Sequence, residues 1–157
     1  GHRIILASRC PYFANLLMSG MKETVDSSVC FQDYTYDELL KIIGFIYTDT
    51  AEFADIHDAV NILPLSDPLQ LIKLKHLCEV AIVPEIELEN VCDLMQLAER
   101  FNAPLLKGGC MRFVIANFKS VIKEDGYLLL DDQLLAEINR VCFTFHNSTN
   151  NGSWFLS

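Results

Sequence analysis

Five prolines, at positions 11, 64, 68, 84 and 104, punctuate apolar residues spaced three and four apart, and this combination constrains the chain most. Such spacing places side chains on one face of an α-helix. A proline opens a helix readily and breaks its interior. Pro11 therefore opens a helix whose face is Tyr12, Phe13, Leu16 and Leu17, closed by Gly20. Thr35, with Glu38 three residues on, predicts a capping box. The helix it starts carries Tyr36, Leu39, Leu40, Ile43, Ile46 and Tyr47 on one side and ends near Thr48-Asp49. Ile56, Ala59, Val60 and Leu63 make a further face, which Pro64 and Pro68 interrupt. A proline inside a helix costs about 3 kcal/mol, so this helix is expected to end near Ile62 or Leu63, with a turn beyond. Leu71, Leu74, Leu77, Cys78 and Ala81 resume the stripe, and Pro84 with Glu85-Ile86-Glu87 marks a junction.

Beyond the junction the pattern is purely helical. Leu88, Val91, Leu94, Met95 and Ala98 form one helix, ending near Phe101-Asn102. Pro104 starts another, carrying Leu105, Leu106, Cys110, Phe113, Val114 and Phe118. The stretch from Val121 to Arg140 suggests two further short helices, and after Val141 the pattern dissolves into what reads as a disordered tail. Ser28 to Tyr34 is β-prone between polar residues and predicts a strand. The chain opens abruptly on Gly1-His2-Arg3 without Met, as a piece of a longer protein or an unusual isoform would.

With 157 residues, 51% of them hydrophobic and 21% charged, the chain can bury one ordinary core or two small ones. Its net charge of −9 argues against nucleic acid, which demands a basic stripe, and against an anionic membrane surface. No apolar run approaches the roughly 20 residues that span a bilayer. The cysteines, at 10, 30, 78, 92, 110 and 142, form no CxxC pair and no zinc-spaced cluster. They fit reduced thiols in an intracellular protein, cytoplasmic or nuclear.

Catalytic chemistry needs a nucleophile with its base, a metal set or a phosphate-cradling loop. The sequence has no G-x-S-x-G, H-E-x-x-H or GxGxxG, and His2, His57, His76 and His146 stand apart from other ligands. Gly108-Gly109 falls mid-helix, where close packing explains it better than phosphate binding. Asp131-Asp132 reads as a helix N-terminus, where negative charge is favoured. The Asn147-Ser148-Thr149 and Asn151-Gly152-Ser153 sequons are accidental without a secretory signal. No catalytic, cofactor or metal residue is assigned, and the chain is expected not to be an enzyme.

What remains is a resemblance. His2-Arg3-Ile4-Ile5-Leu6-Ala7-Ser8-Arg9-Cys10-Pro11-Tyr12-Phe13, Phe45-Ile46-Tyr47-Thr48-Asp49 and Leu74-Lys75-His76-Leu77-Cys78-Glu79 resemble three segments of BTB/POZ domains, in the family's order. Leu88-Glu89-Asn90-Val91, Leu97-Ala98 and Asn102-Ala103-Pro104-Leu105-Leu106 resemble the opening of a BACK domain. The resemblance implies an α+β, predominantly helical fold. A truncated BTB/POZ domain with short strands packed on helices would occupy residues 1–83, a partial BACK or 3-box extension 84–140, and the tail 141–157.

It further implies a protein-interaction module, the cullin-3-binding adaptor part of a ubiquitin ligase substrate receptor. Met21-Lys22-Glu23 stands where cullin-3 adaptors carry a hydrophobic-x-Glu element, and Tyr47 matches a helix-ending tyrosine that faces the cullin. Leu94 and Met95, with Leu97, Leu105 and Leu106, are candidates for a groove that takes the cullin's N-terminal segment. The implied partner is the cullin-3 N-terminal domain, with substrate recruited by a region outside this chain. A homodimer is also implied, but the strand–helix–strand that builds much of its interface in the family does not precede His2 here, which counts against one. The alternative function is a self-association scaffold or transcriptional regulator that uses the same fold without cullin.

Overall fold

The computed structural model describes residues 2–18 and 34–152, and its contacts divide the chain into two compact units, Gly1–Ile82 and Val83–Ser157. The described residues are helical, with no strand among them. The strand expected from Ser28 to Tyr34 lies outside them, except for Tyr34 itself, which is in a bend.

In the first unit, α1 (His2–Arg9) runs into α2 (Pro11–Met18), followed by α3 (Tyr36–Thr48), α4 (Ile56–Ser66) and α5 (Ile72–Ile82). Pro11 opens α2 as expected, and Phe13 is its buried residue. The capping box at α3 is present in full. Thr35 Oγ1 accepts the Glu38 N–H at 3.3 Å, and the Glu38 carboxylate accepts the Thr35 N–H at 2.8 Å. At the N-terminus of α4, Asp55 accepts the Asp58 N–H. The Asp58 carboxylate pairs with Lys41 at 2.5 Å and accepts the Ala54 N–H, contacts that hold its pKa below the ordinary carboxylate value.

Two features of this unit depart from the sequence reading. α4 does not stop near Leu63 but runs through Pro64 to Ser66. Pro64 lies within the last turn, where its missing N–H removes one helix hydrogen bond, that to the Val60 carbonyl. The loss of about 3 kcal/mol is offset by burying Ile62 and Leu63, each worth about 1.5–3 kcal/mol. The buried Ser66 hydroxyl donates to the Leu63 carbonyl at 2.6 Å, and the turn then closes with Leu71 N–H on the Ser66 carbonyl. In α3 the core face is Ile42, Phe45 and Ile46, whereas Tyr36, Leu40 and Ile43 are exposed rather than packed beside Ile46.

The second unit opens with a 3-10 turn (Val83–Glu85), then α6 (Val91–Arg100), α7 (Pro104–Val121), the single turn α8 (Asp125–Leu128) and α9 (Asp132–Gly152). Asn90 organises the entry to α6: its Oδ1 accepts the Glu87 N–H, and its amide donates to the Glu85 carbonyl. α7 crosses close to the 3-10 turn because Gly109 has no side chain. A Cβ there would lie 3.1 Å from both Ile86 Cδ1 and Val83 Cγ2. Asp131 caps α9 by accepting the Leu134 N–H at 2.8 Å, which is the role read for the acidic pair. Lys107 on α7 bridges Glu99 on α6, at 2.6 Å, and Glu137 on α9, at 2.9 Å.

The tail expected from residue 141 is corrected here: residues 141–152 continue α9, and only 153–157 fall outside the described residues. The polar side chains that made this stretch look unstructured bond back to the helix itself. Thr144, Ser148 and Thr149 hydroxyls donate to the carbonyls of Arg140, Thr144 and Phe145, and His146 Nδ1 meets the Cys142 carbonyl.

Candidate functional site

The C-terminal end of α3 is fixed by side chains from α1 and α5. A helix leaves its last carbonyls without intrahelical partners, and a cation placed there is favoured by the helix dipole. Arg9, the last residue of α1, supplies both: its Nη1 donates to the carbonyls of Ile46, at 3.2 Å, and Tyr47, at 2.9 Å. Asp49 ends the helix in the left-handed region, at φ 62°, and its N–H donates to the Phe45 carbonyl at 2.7 Å. Lys73, from α5, pairs with the Asp49 carboxylate.

Tyr47 is held between these groups. Its hydroxyl shares a 2.7 Å hydrogen bond with His2 Nδ1, and the two rings meet edge to face with centroids 5.9 Å apart. The side chain is half-buried. Beside it lies a shallow cleft of about 260 Å³ lined by Arg9, Phe45, Ile46 and Asp49. Along the same helix, Tyr36 (75% exposed), Leu40 (50%) and Ile43 (37%) form an apolar row at intervals of four and three.

The other residues singled out from sequence do not join Tyr47. Met21, Lys22 and Glu23 lie outside the described residues. Leu94 and Met95 are in the second unit and belong to its core, 5% and 1% exposed, so neither presents area to a partner in this conformation. The physical reason is the helix packing between α6 and α7, which buries both. The exposed row of Tyr36, Leu40 and Ile43 was missed as a surface. Its signal was present in the spacing, but that spacing does not say which of two neighbouring apolar stripes turns inward.

Among the described residues no group of three or more His, Cys, Asp and Glu could hold a metal. Cys10, Cys78, Cys92, Cys110 and Cys142 are free and buried. Burial pushes the thiols of Cys78 and Cys110 up to about 12, which leaves almost no thiolate to act as nucleophile at neutral pH. No described helix is long and apolar enough to cross a membrane.

The BTB/POZ domain family matches residues 1–85, more than half of the chain and all of the first unit. The chain belongs to the BTB/POZ family. Members of this family are protein-interaction modules.

Individual BTB/POZ relatives extend the likeness. The inhibitor of Bruton tyrosine kinase of Xenopus laevis is 31% identical over 142 residues, 88% of this chain and 11% of that protein. BTB/POZ domain-containing protein 9 of Rattus norvegicus is 30% identical over 140 residues, 87% of this chain and 23% of that protein. Human Kelch-like protein 22 is 29% identical over 126 residues, 80% of this chain and 20% of its own length. Each match necessarily runs past residue 85 into the second unit. The chain spans between a tenth and a quarter of these relatives.

Proposed function

We propose that this BTB/POZ chain is the cullin-3-docking part of a ubiquitin ligase substrate receptor, with Val83–Ser157 as the beginning of a BACK extension. It does no chemistry itself and acts by holding a ligase and a separately recruited substrate together. The observation that carries this reading is Tyr47, an aromatic side chain at a helix end whose ring is oriented by His2 and whose main-chain carbonyl is held by Arg9. Large aromatic residues dominate interface energetics when they are rigid and partly desolvated. The Met21-Lys22-Glu23 element supports it from sequence, with an apolar anchor and a neighbouring carboxylate for orientation.

Calorimetry of the chain with the cullin-3 N-terminal domain tests this. Micromolar or tighter binding, about −8 kcal/mol or better, is expected. Tyr47→Ala and the double variant Met21→Asp, Glu23→Ala should each weaken it by at least about tenfold. No binding from a chain with intact helical circular dichroism would remove the adaptor reading.

A second reading, self-association without cullin, is favoured by the exposed Tyr36, Leu40 and Ile43 row. A concentration-dependent dimer in sedimentation, lost in Leu40→Asp, would support it.

A further inference from the structure

Gly44 stands in the interior of α3, where glycine is a poorer helix former than alanine. Packing does not require it: a Cβ there would meet nothing within 4 Å beyond its chain neighbours and its own helix backbone. The space it leaves belongs to a cleft of about 220 Å³ in the first unit. Buried Phe45 from α3, Ile62 from α4 and Leu74 from α5 form its apolar base. Glu52 and half-buried Phe53 line it from the connection between α3 and α4. That volume falls below the roughly 300–1,000 Å³ of sites that enclose a small molecule, and it suits a single side chain.

The polar groups that line this cleft have their donors already engaged. The Lys41 ammonium is held by the Asp58 carboxylate at 2.5 Å. Thr48 Oγ1 donates to the Gly44 carbonyl at 2.8 Å, and the Thr50 hydroxyl donates to Thr48 Oγ1 at 2.9 Å. Of the neighbouring carboxylates, Asp49 pairs with Lys73, Asp55 caps α4 and Asp58 is matched by Lys41. Glu52 is exposed and makes no ion pair or hydrogen bond among the described residues. What the cleft offers is therefore an apolar base, an aromatic ring, acceptor oxygens and one unmatched negative charge. A group that fits it donates hydrogen bonds, is positively charged and has an apolar body.

We propose that this cleft receives an arginine side chain from a basic segment of a partner protein. A guanidinium has donors only, and it stacks on aromatic rings, here that of Phe53. Its aliphatic stem would lie against Ile62 and Leu74 while its charge meets Glu52. Free arginine fits less well, because its α-carboxylate would find no unpaired cation among the lining residues. A second copy of the chain is disfavoured by mutual repulsion at a net charge of −9, the same charge that draws a basic partner. Tyr47 does not line the cleft, and the site does not rest on the cullin reading.

The test is a nuclear magnetic resonance titration of the full chain with N-acetyl-arginine N-methylamide. Saturable shifts of the Gly44, Glu52 and Phe53 amides are expected, with a millimolar Kd because one side chain makes few contacts. The citrulline counterpart keeps the shape and loses the charge, so it should bind about tenfold more weakly. Glu52→Gln should weaken the arginine derivative by a similar factor. Gly44→Leu should abolish the shifts at Glu52 and Phe53 while holding the thermal midpoint at or above the parent's, which separates a filled cleft from a damaged fold. If that variant does not fold, Glu52→Gln, at an exposed position, carries the test. Citrulline or leucine derivatives that bind as tightly as arginine would overturn the proposal, as would the absence of saturable shifts or shifts indifferent to both variants. Tighter binding of free arginine would assign the cleft to the amino acid, and a dimer that Gly44→Leu dissolves would assign it to a second copy; either result also overturns it.

Discussion

Neighbouring residues in this chain can carry opposite constraints, and Gly108 and Gly109 are the plainest pair. A methyl group at Gly109 would press on Val83 and Ile86 at 3.1 Å, whereas one at Gly108 would meet only the Arg112 guanidinium at 3.7 Å. Gly109→Ala is therefore expected to destabilise by about 1–3 kcal/mol through overpacking. Gly108→Ala should stabilise by up to about 1 kcal/mol, because Ala costs less entropy than Gly in a helix. Urea denaturation of the two variants checks both signs at once. The sequence showed that this pair sits mid-helix and favours close packing, but not which glycine is the one in contact. That depends on the azimuth of α7 against the 3-10 turn, a tertiary quantity with no local signature. Tyr47 was legible for the opposite reason. Its place at the end of a capped helix is local, although the clamp from His2 and Arg9 joins residues far apart in the chain.

Elements with local start signals were read correctly, and those decided by packing were not. Thr35 and Glu38 announced α3, and both bonds of the box are made. Thr35→Ala removes one and loosens the other, so it should cost about 1 kcal/mol in a urea titration, with Thr35→Ser close to the parent. The burying face of α3 was harder to assign, because eight of its thirteen residues are large and apolar or aromatic and make two adjacent stripes. Only the packing of α4 and its neighbours selects Ile42, Phe45 and Ile46 over Tyr36 and Leu40. At Pro64 a local rule was applied alone, whereas burial of Ile62 and Leu63 outweighs the bond that the proline removes. In α9 the hydroxyl and amide side chains were counted as evidence for disorder. Each hydroxyl instead satisfies a carbonyl one turn back, so a stretch of low helix propensity is carried along behind the anchored core residues Leu134, Ile138 and Cys142.

At the scale of the whole molecule the buried thiols link stability to pH. An unfolded thiol titrates near its ordinary value of 9.0, whereas Cys78 and Cys110 are held up to about 12 in the folded chain. The folded state thus keeps protons that the unfolded state releases. Their stabilisation is complete below pH 9 and is lost as pH rises toward 12, at about 1.4 kcal/mol per pH unit for each thiol. Urea midpoints at pH 8 and pH 10 should therefore fall, and Cys78→Ala with Cys110→Ala should flatten that fall. A fall of the same size in the double variant would show that other groups cause it. One contact in the first unit has a further effect. The Cys10 thiol, at the joint between α1 and α2, donates to the Leu69 carbonyl 59 residues away. During synthesis the joint has no acceptor until that turn has left the ribosome, and closing so long a loop spends entropy before any contact returns it. α1 is thus tied to α3 through His2 and Arg9 before the joint behind it is secured, which leaves that interval as the time when a chaperone would find the joint uncovered.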